Sequence, residues 1–325
     1  MNKKTIYKCG VAALFIVGGA CLHSIIGSNS ADVDSIQAVE NPYSIVPPTI
    51  PDQLVFDNET IDLRRYDRHE RIDRELMSYM YMHASTSLII KRANRIYPIV
   101  EPMLKKNGIP DDFKYMMTIE SSLNITAKSP AGAAGLWQLM PQTAKQLGLE
   151  VNDDVDERYD IEKSTRAACK YIRQAYAKYG DWMLVSASYN AGQARITSLL
   201  EKQQVKHAMD LWLVEETSRY MFRMLAIKEL MNSPRRFGFL LKSEQLYPQL
   251  QYDVVKVDTT ITNLASYAQK MGITYAQLRE ANPWLRGYTL PNKTRKVYEI
   301  KIPKKDSMYY NPKKTKPYNH NWVID

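Results

Sequence analysis

The sequence predicts a mainly α-helical protein that closes in a small α+β module. Three observations lead there. From about Asp62 to Asn232, apolar residues recur at three- and four-residue steps, without a convincing alternating run. After about Leu250 the pattern becomes strand, helix, helix, strand. The 325 residues, 45% of them hydrophobic, suffice for two domains with real cores.

Residues 1–27 read as an export segment. Lys3, Lys4 and Lys8 precede an apolar run from Cys9 to Gly27 in which only His23 and Ser24 are clearly polar. The chain is therefore expected in the periplasm or cell envelope. Ala20-Cys21 offers the small residue and cysteine that lipid attachment needs, but Gly18 stands where such a signal usually has Leu. The apolar continuation from Leu22 to Ile26 suits a longer signal peptide or an uncleaved membrane anchor. All three routes stay open. Beyond this segment only Cys169 remains, so a processed chain has no intramolecular disulfide, and nothing resembles a metal set. The net charge of +9 is spread along the chain without a nucleic-acid motif, which argues against a nucleic-acid partner.

Residues 28–60 read as a linker, carrying Pro42, Pro47, Pro48 and Pro51 without sustained periodicity. An N-terminal helical extension over 61–94 starts the periodic region, which runs to Asn107 through Leu76, Met80, Ile89, Ala93, Ile96 and Val100. Pro98 and Pro102 imply a bend, and Gly108 closes the segment.

The next stretch, Phe113 to Gly148, is where the chemistry concentrates. Phe113, Met116, Met117 and Glu120 fall at i, i+3, i+4 and i+7, which places an acid on the apolar stripe of a helix that Pro110-Asp111-Asp112 starts. Partial desolvation and the negative end of the helix dipole both raise the pKa of such a carboxyl, as a general acid requires. A tie to an Arg or a backbone donor would be the purely structural alternative. Two glycines and three alanines in Ser129–Gly135 then lead into Leu136–Pro141, where a polymer could approach the backbone. Pro141 to Leu147 reads as a short helix ended by Gly148, and Asn152 to Asp160 as an acidic loop. Ser164 caps a helix through Tyr179, and Asp181 caps Trp182–Ala191, which Gly192 stops. A further helix covers about Glu215 to Met231.

Four ordered blocks resemble the lytic transglycosylase (SLT-domain) family, and within it the membrane-bound D group. They are Glu120-Ser121-Ser122-Leu123-Asn124, Ser129 to Pro141, Ser188-Tyr189-Asn190-Ala191-Gly192, and Glu216-Thr217 with Tyr220. The resemblance implies a lysozyme-like helical catalytic domain over about 95–235 that acts on peptidoglycan glycan strands, with no cofactor. It implies that Glu120 protonates the glycosidic oxygen between N-acetylmuramic acid and N-acetylglucosamine. Glu120 then takes the proton from the muramoyl C6 hydroxyl, which leaves a 1,6-anhydro end. Ser129 and Gln138 match positions that hydrogen-bond the sugar, Tyr189 matches one placed to bond the Glu or the substrate, Asn190 and Met140 line the groove, and Glu216 with Tyr220 supports the site. Turn and cap chemistry is the structural alternative for Ser129 and Asn190, core packing for Met140, and an ordinary helix start for Glu216. Val214 stands where related sequences often have Pro. Asp153, Asp154, Asp156 and Asp160, read as a solvated loop, leave a hydrolytic muramidase open; a silent peptidoglycan-binding scaffold is the non-enzymatic rival.

Residues 250–303 resemble a LysM module through Asp258-Thr259, Asn282-Pro283 and Tyr298–Pro303. Val257 replaces the usual Gly, and Leu290-Pro291-Asn292-Lys293 replaces a more regular turn. The resemblance implies a glycan-binding unit; packing on the catalytic domain is the alternative. The basic tail, 304–325, reads as a solvated end. Protein partners and stem-peptide preference are not legible.

Overall fold

Residues 47–325 are described by the computed structural model, and they depart from the expected linker within a few residues. Strands β1 (Gln53–Phe56) and β2 (Glu59–Asp62) form an antiparallel hairpin with Gln53 opposite Asp62. Leu54, Phe56 and Ile61 are buried. Two four-residue strands give too short an alternation to stand out beside the prolines. The export segment, Cys21 and the rest of the linker lie outside the described residues. Among the described residues, no helix is long and apolar enough to cross a membrane.

The first periodic region divides into α1 (Tyr66–Tyr81) and α2 (His83–Lys106), while Pro98 and Pro102 lie inside α2. The break is at Met82, not at a proline. Thr86 fastens the junction by donating its hydroxyl to the Tyr79 carbonyl at 2.7 Å. Helix α3 (Phe113–Ser121) is buried without interruption from Phe113 to Thr118, so the apolar stripe is one side of a helix enclosed all round. Its buried Lys114 is held by Glu101 at 2.6 Å and by Asp111.

Helices α4 (Pro141–Gln146), α5 (Ile161–Tyr179), α6 (Trp182–Ala191), α7 (Gln193–Gln203) and α8 (Glu215–Asn232) complete the helical body. The cap of α5 is Asp160, which accepts from the Lys163 amide at 2.8 Å; Ser164 lies inside the helix and donates back to the Asp160 carbonyl. Asp181 and Gly192 do bound α6. Helix α7 buries only Ile196, so it has no stripe for periodicity to detect. Helix α8 is the centre of the body, packed against α1, α3 and α6.

The C-terminal module has the expected order: β3 (Tyr252–Val257), α9 (Leu264–Lys270), α10 (Tyr275–Ala281) and β4 (Tyr298–Pro303), with Val257 opposite Tyr298. Its core is shared with the helical body. Ala134, Val155 and Tyr159 join one apolar cluster with Leu264, Leu278, Leu285 and Ile300. The Asp156 amide donates to the Trp284 carbonyl at 2.8 Å, and the Arg286 amide to that of Asp154 at 2.7 Å. Lys296 pairs with Glu150 and Glu157, and Lys301 with Glu162, across the same seam.

The tail is not a solvated end. Trp322 and Val323 are 2% and 0% exposed, and the indole NH donates to the Met231 carbonyl at 2.7 Å. The ring meets Tyr97 edge-on at 5.9 Å. Asn94 donates to the Lys316 carbonyl and accepts from the Tyr318 amide. Lysine content suggested solvation, but two apolar residues beyond the lysines decide the outcome.

Candidate active site

Glu120 is the penultimate residue of α3 and is half-buried. Burial raises its pKa from 4.5 to about 7, against a stabilising hydrogen bond from Tyr220, and the Glu216 charge adds a smaller upward push. The Tyr220 phenol donates to Glu120 Oε1 at 2.7 Å. At neutral pH this carboxyl can give or take a proton at little cost.

The chain bends sharply just after it. Ser122 and Leu123 both have positive φ, 50° and 56°, and so does Gln138 at 46°. None of the three is a glycine, and each such conformation carries a strain of about 1 kcal/mol or more. The backbone here serves position rather than ease.

Gln138 belongs to the glycine-rich loop. Its side-chain amide donates to the carbonyls of Gly135, at 2.8 Å, and Ala127, at 3.3 Å. Both partners are acceptors, which fixes the amide orientation and leaves the side-chain oxygen able to accept a further donor. Ser129 accepts from the Ala133 amide at 3.0 Å, a turn contact, and keeps a proton to donate. The Tyr189 phenol donates to the Trp137 carbonyl at 2.6 Å and packs edge-on against Tyr171. Burial and then the nearby Glu120 push its pKa well up, so it stays a donor. Tyr189, expected to bond the acid or the substrate, is thus tied to the loop, and Tyr220 is the residue that bonds the acid.

Met140 is 43% exposed at the end of the loop. Asn190 is half-buried, with no side-chain hydrogen bond among the described residues. Glu216, expected to hold the site by hydrogen bonds, is exposed and makes none among the described residues; it acts on Glu120 only through its charge. A recess of about 740 Å³, between α2 and the Gly108–Asp111 turn, shares no lining residue with this cluster.

Sequence reasoning missed Arg158. Its guanidinium grips Asp156 through Nε at 2.9 Å and Nη2 at 2.7 Å, then donates from Nη1 to the carbonyls of Gly132 and Leu139. Both residues are buried, so Asp156 is no solvated acid but half of the bolt that holds the loop. Glu157 pairs with Lys163 and Lys296, and Asp160 caps α5, which leaves Asp153 as the exposed acid of this run. The one available signal was a lone arginine among carboxylates. Gly135 must be glycine: its φ is 76°, and a Cβ would stand 1.9 Å from the Arg158 carbonyl oxygen. Glu59, Asp181 and His207 also bring one ligand atom each within 4.8 Å of one another, a grouping that spacing did not suggest, but Asp181 is committed to capping α6.

Residues 98–211 match the transglycosylase SLT domain, and residues 253–306 match the soluble lytic transglycosylase C-terminal LysM-like domain. The chain carries an SLT transglycosylase domain. Glu120 and the glycine-rich loop fall within the SLT match, whereas Tyr220 and Glu216 lie beyond it on α8. The chain is 27% identical over 227 residues to the membrane-bound lytic murein transglycosylase D of Escherichia coli, covering 68% of this chain and 50% of that one. It is 34% identical over 94 residues to the soluble lytic murein transglycosylase of the same organism, covering 26% and 15%. It therefore spans at most about half the length of these relatives. Among solved structures, the 70 kDa soluble lytic transglycosylase of Escherichia coli aligns over 38% of this chain and 22% of its own, at 26% identity and a TM-score of 0.33.

Proposed function

We propose that this protein is an exported peptidoglycan lytic transglycosylase in which Glu120 is both acid and base. Protonated Glu120 gives its proton to the oxygen between N-acetylmuramic acid and N-acetylglucosamine, and the bond breaks through an oxocarbenium-like state. The carboxylate so formed takes the proton of the muramoyl C6 hydroxyl as that oxygen closes on C1. One proton is given and one recovered, and no water is consumed. Because the nucleophile belongs to the substrate, one carboxyl suffices. The observation that carries this reading is the single carboxyl with a pKa of about 7, hydrogen-bonded by Tyr220, inside an SLT match. Gln138, Ser129, Tyr189, Asn190 and Met140 would form the wall that orients the sugar, and the LysM-like module would bind glycan.

A hydrolytic muramidase has one observation in its favour. Glu216 is an exposed carboxylate with no partner among the described residues, close enough for its charge to reach Glu120. The test is digestion of purified peptidoglycan, with product ends identified by mass spectrometry. Anhydromuramic ends are expected; reducing muramic ends would establish hydrolysis instead, and no release would leave a binding scaffold.

A further inference from the structure

A recess of about 300 Å³ lies between the loop that follows α3 and the C-terminal module. Four guanidiniums line it: Arg92 and Arg95 of α2, Arg279 of α10, and Arg286 from the loop after α10. Glu280 is the one acid among the lining residues. Among the described residues, no carboxylate lies within 4.0 Å of any of the four. Their partners are neutral. Arg92 donates to the Ser122 carbonyl at 3.0 Å, Arg95 to that of Pro248 at 2.9 Å, Arg286 to that of Pro283 at 3.1 Å, and Arg279 to the Tyr275 phenol at 2.6 Å. Arg279 Nε is buried with no hydrogen-bond partner among the described residues.

This differs from the arginines that hold the fold. Arg158 and Arg219 are each paired with a carboxylate, on Asp156 and Glu75. Three of the recess arginines are instead fixed on aromatic faces, Arg95 on Tyr247 at 5.4 Å, Arg279 on Tyr275 at 5.6 Å and Arg286 on Tyr159 at 4.4 Å. Burial lowers the pKa of Arg95, as expected for a cation that lost water without gaining an acid. The forks are thus held in place with their charge unanswered. An anion with more than one carboxylate would answer it, since guanidinium forks match carboxylates in pairs.

The position indicates which anion. Ser122, whose carbonyl Arg92 holds, is two residues beyond Glu120, and Leu123 and Asn124 line the recess. A ligand seated there lies along the chain segment that leaves the candidate acid. We propose that the recess binds carboxylates of the stem peptide carried by the glycan being cut. This rests on the peptidoglycan reading above and adds a second recognition element to it, built jointly by the SLT domain and the module.

The test uses the full chain carrying Glu120→Gln, titrated calorimetrically with L-alanyl-γ-D-glutamyl-meso-diaminopimelyl-D-alanine and with the same peptide amidated at every carboxyl. The free acid is expected to bind about tenfold or more tighter than the amide. Arg279→Gln with Arg286→Gln should remove that difference. Arg286→Gln alone, at an exposed side chain, should reduce it and serves if the pair does not fold. Equal binding of the two peptides, binding of neither, or indifference to the arginine exchanges would overturn the proposal. Anhydro ends from peptidoglycan without stem-peptide binding would remove the recess and keep the cleavage reading; binding without anhydro ends would do the reverse.

Discussion

At the scale of single residues, Tyr220 and burial oppose each other at Glu120, and both effects can be measured. Tyr220→Phe removes a hydrogen bond to the charged form, so the Glu120 pKa should rise further. The falling limb of kcat/KM against pH, where the acid form is lost, should move up by about one unit, and turnover should fall about tenfold. An unmoved limb would mean that Tyr220 does not act on the acid. Glu120→Gln should reduce turnover by about a thousandfold or more while keeping an acceptor for Tyr220. It should also stabilise the protein, in a pH-dependent way. The folded pKa is raised from 4.5 to about 7, so below 4.5 both states are protonated and the group costs nothing. Between those values the unfolded chain releases a proton that the folded one keeps, and stability falls as pH rises, by up to about 3 kcal/mol. The Gln variant should therefore melt higher than the parent at pH 8 and alike at pH 4; a constant difference would reject burial as the cause. The buried setting of Glu120 was legible because an acid on an apolar stripe is rare. Its hydrogen bond to Tyr220 was not, because 100 residues separate the partners.

At the scale of elements, the loop from Ser129 to Met140 owes its shape to a residue outside it. Arg158 gives that loop two hydrogen bonds and takes its own counter-charge from Asp156. Arg158→Ala leaves a buried carboxylate without its counter-charge and the Gly132 carbonyl without its donor, while Leu139 keeps the Ala134 amide, at a cost of about 3–5 kcal/mol. The denaturation midpoint should fall accordingly, and whatever folded protein remains should have a raised KM because the loop that carries Gln138 is no longer anchored. Gly135→Ala should be comparably severe, since backbone and not a movable side chain blocks the Cβ. The helices around this loop were legible wherever a stripe or a cap announced them, as with Asp181 and Gly192 for α6. The hairpin, the break at Met82 and α7 were not, because short strands, an unmarked junction and a helix with one buried residue leave no periodic signal.

At the scale of the whole molecule, the order of domains was legible and their union was not. The strand-helix-helix-strand pattern identified the module, but its core continues into Ala134, Val155 and Tyr159 of the helical body. Long-range packing of this kind leaves no mark on local pattern, and neither does the return of the tail to Tyr97 and Met231. Trp322→Ala should lower stability by about 3–5 kcal/mol in a single cooperative transition, read from urea unfolding followed by both circular dichroism and tryptophan fluorescence. A transition confined to the C-terminal segment would show that the tail is an accessory. The buried Phe237, Phe239, Leu241 and Leu246 precede the module, and Trp322 and Val323 follow it. The module is thus an insertion clamped along both edges, closer to a jig bolted to a workbench than to a hand on a flexible arm. It has no swivel with which to search. A ligand held on the module would therefore stand at one fixed heading and distance from Glu120, a spacing machined into the protein.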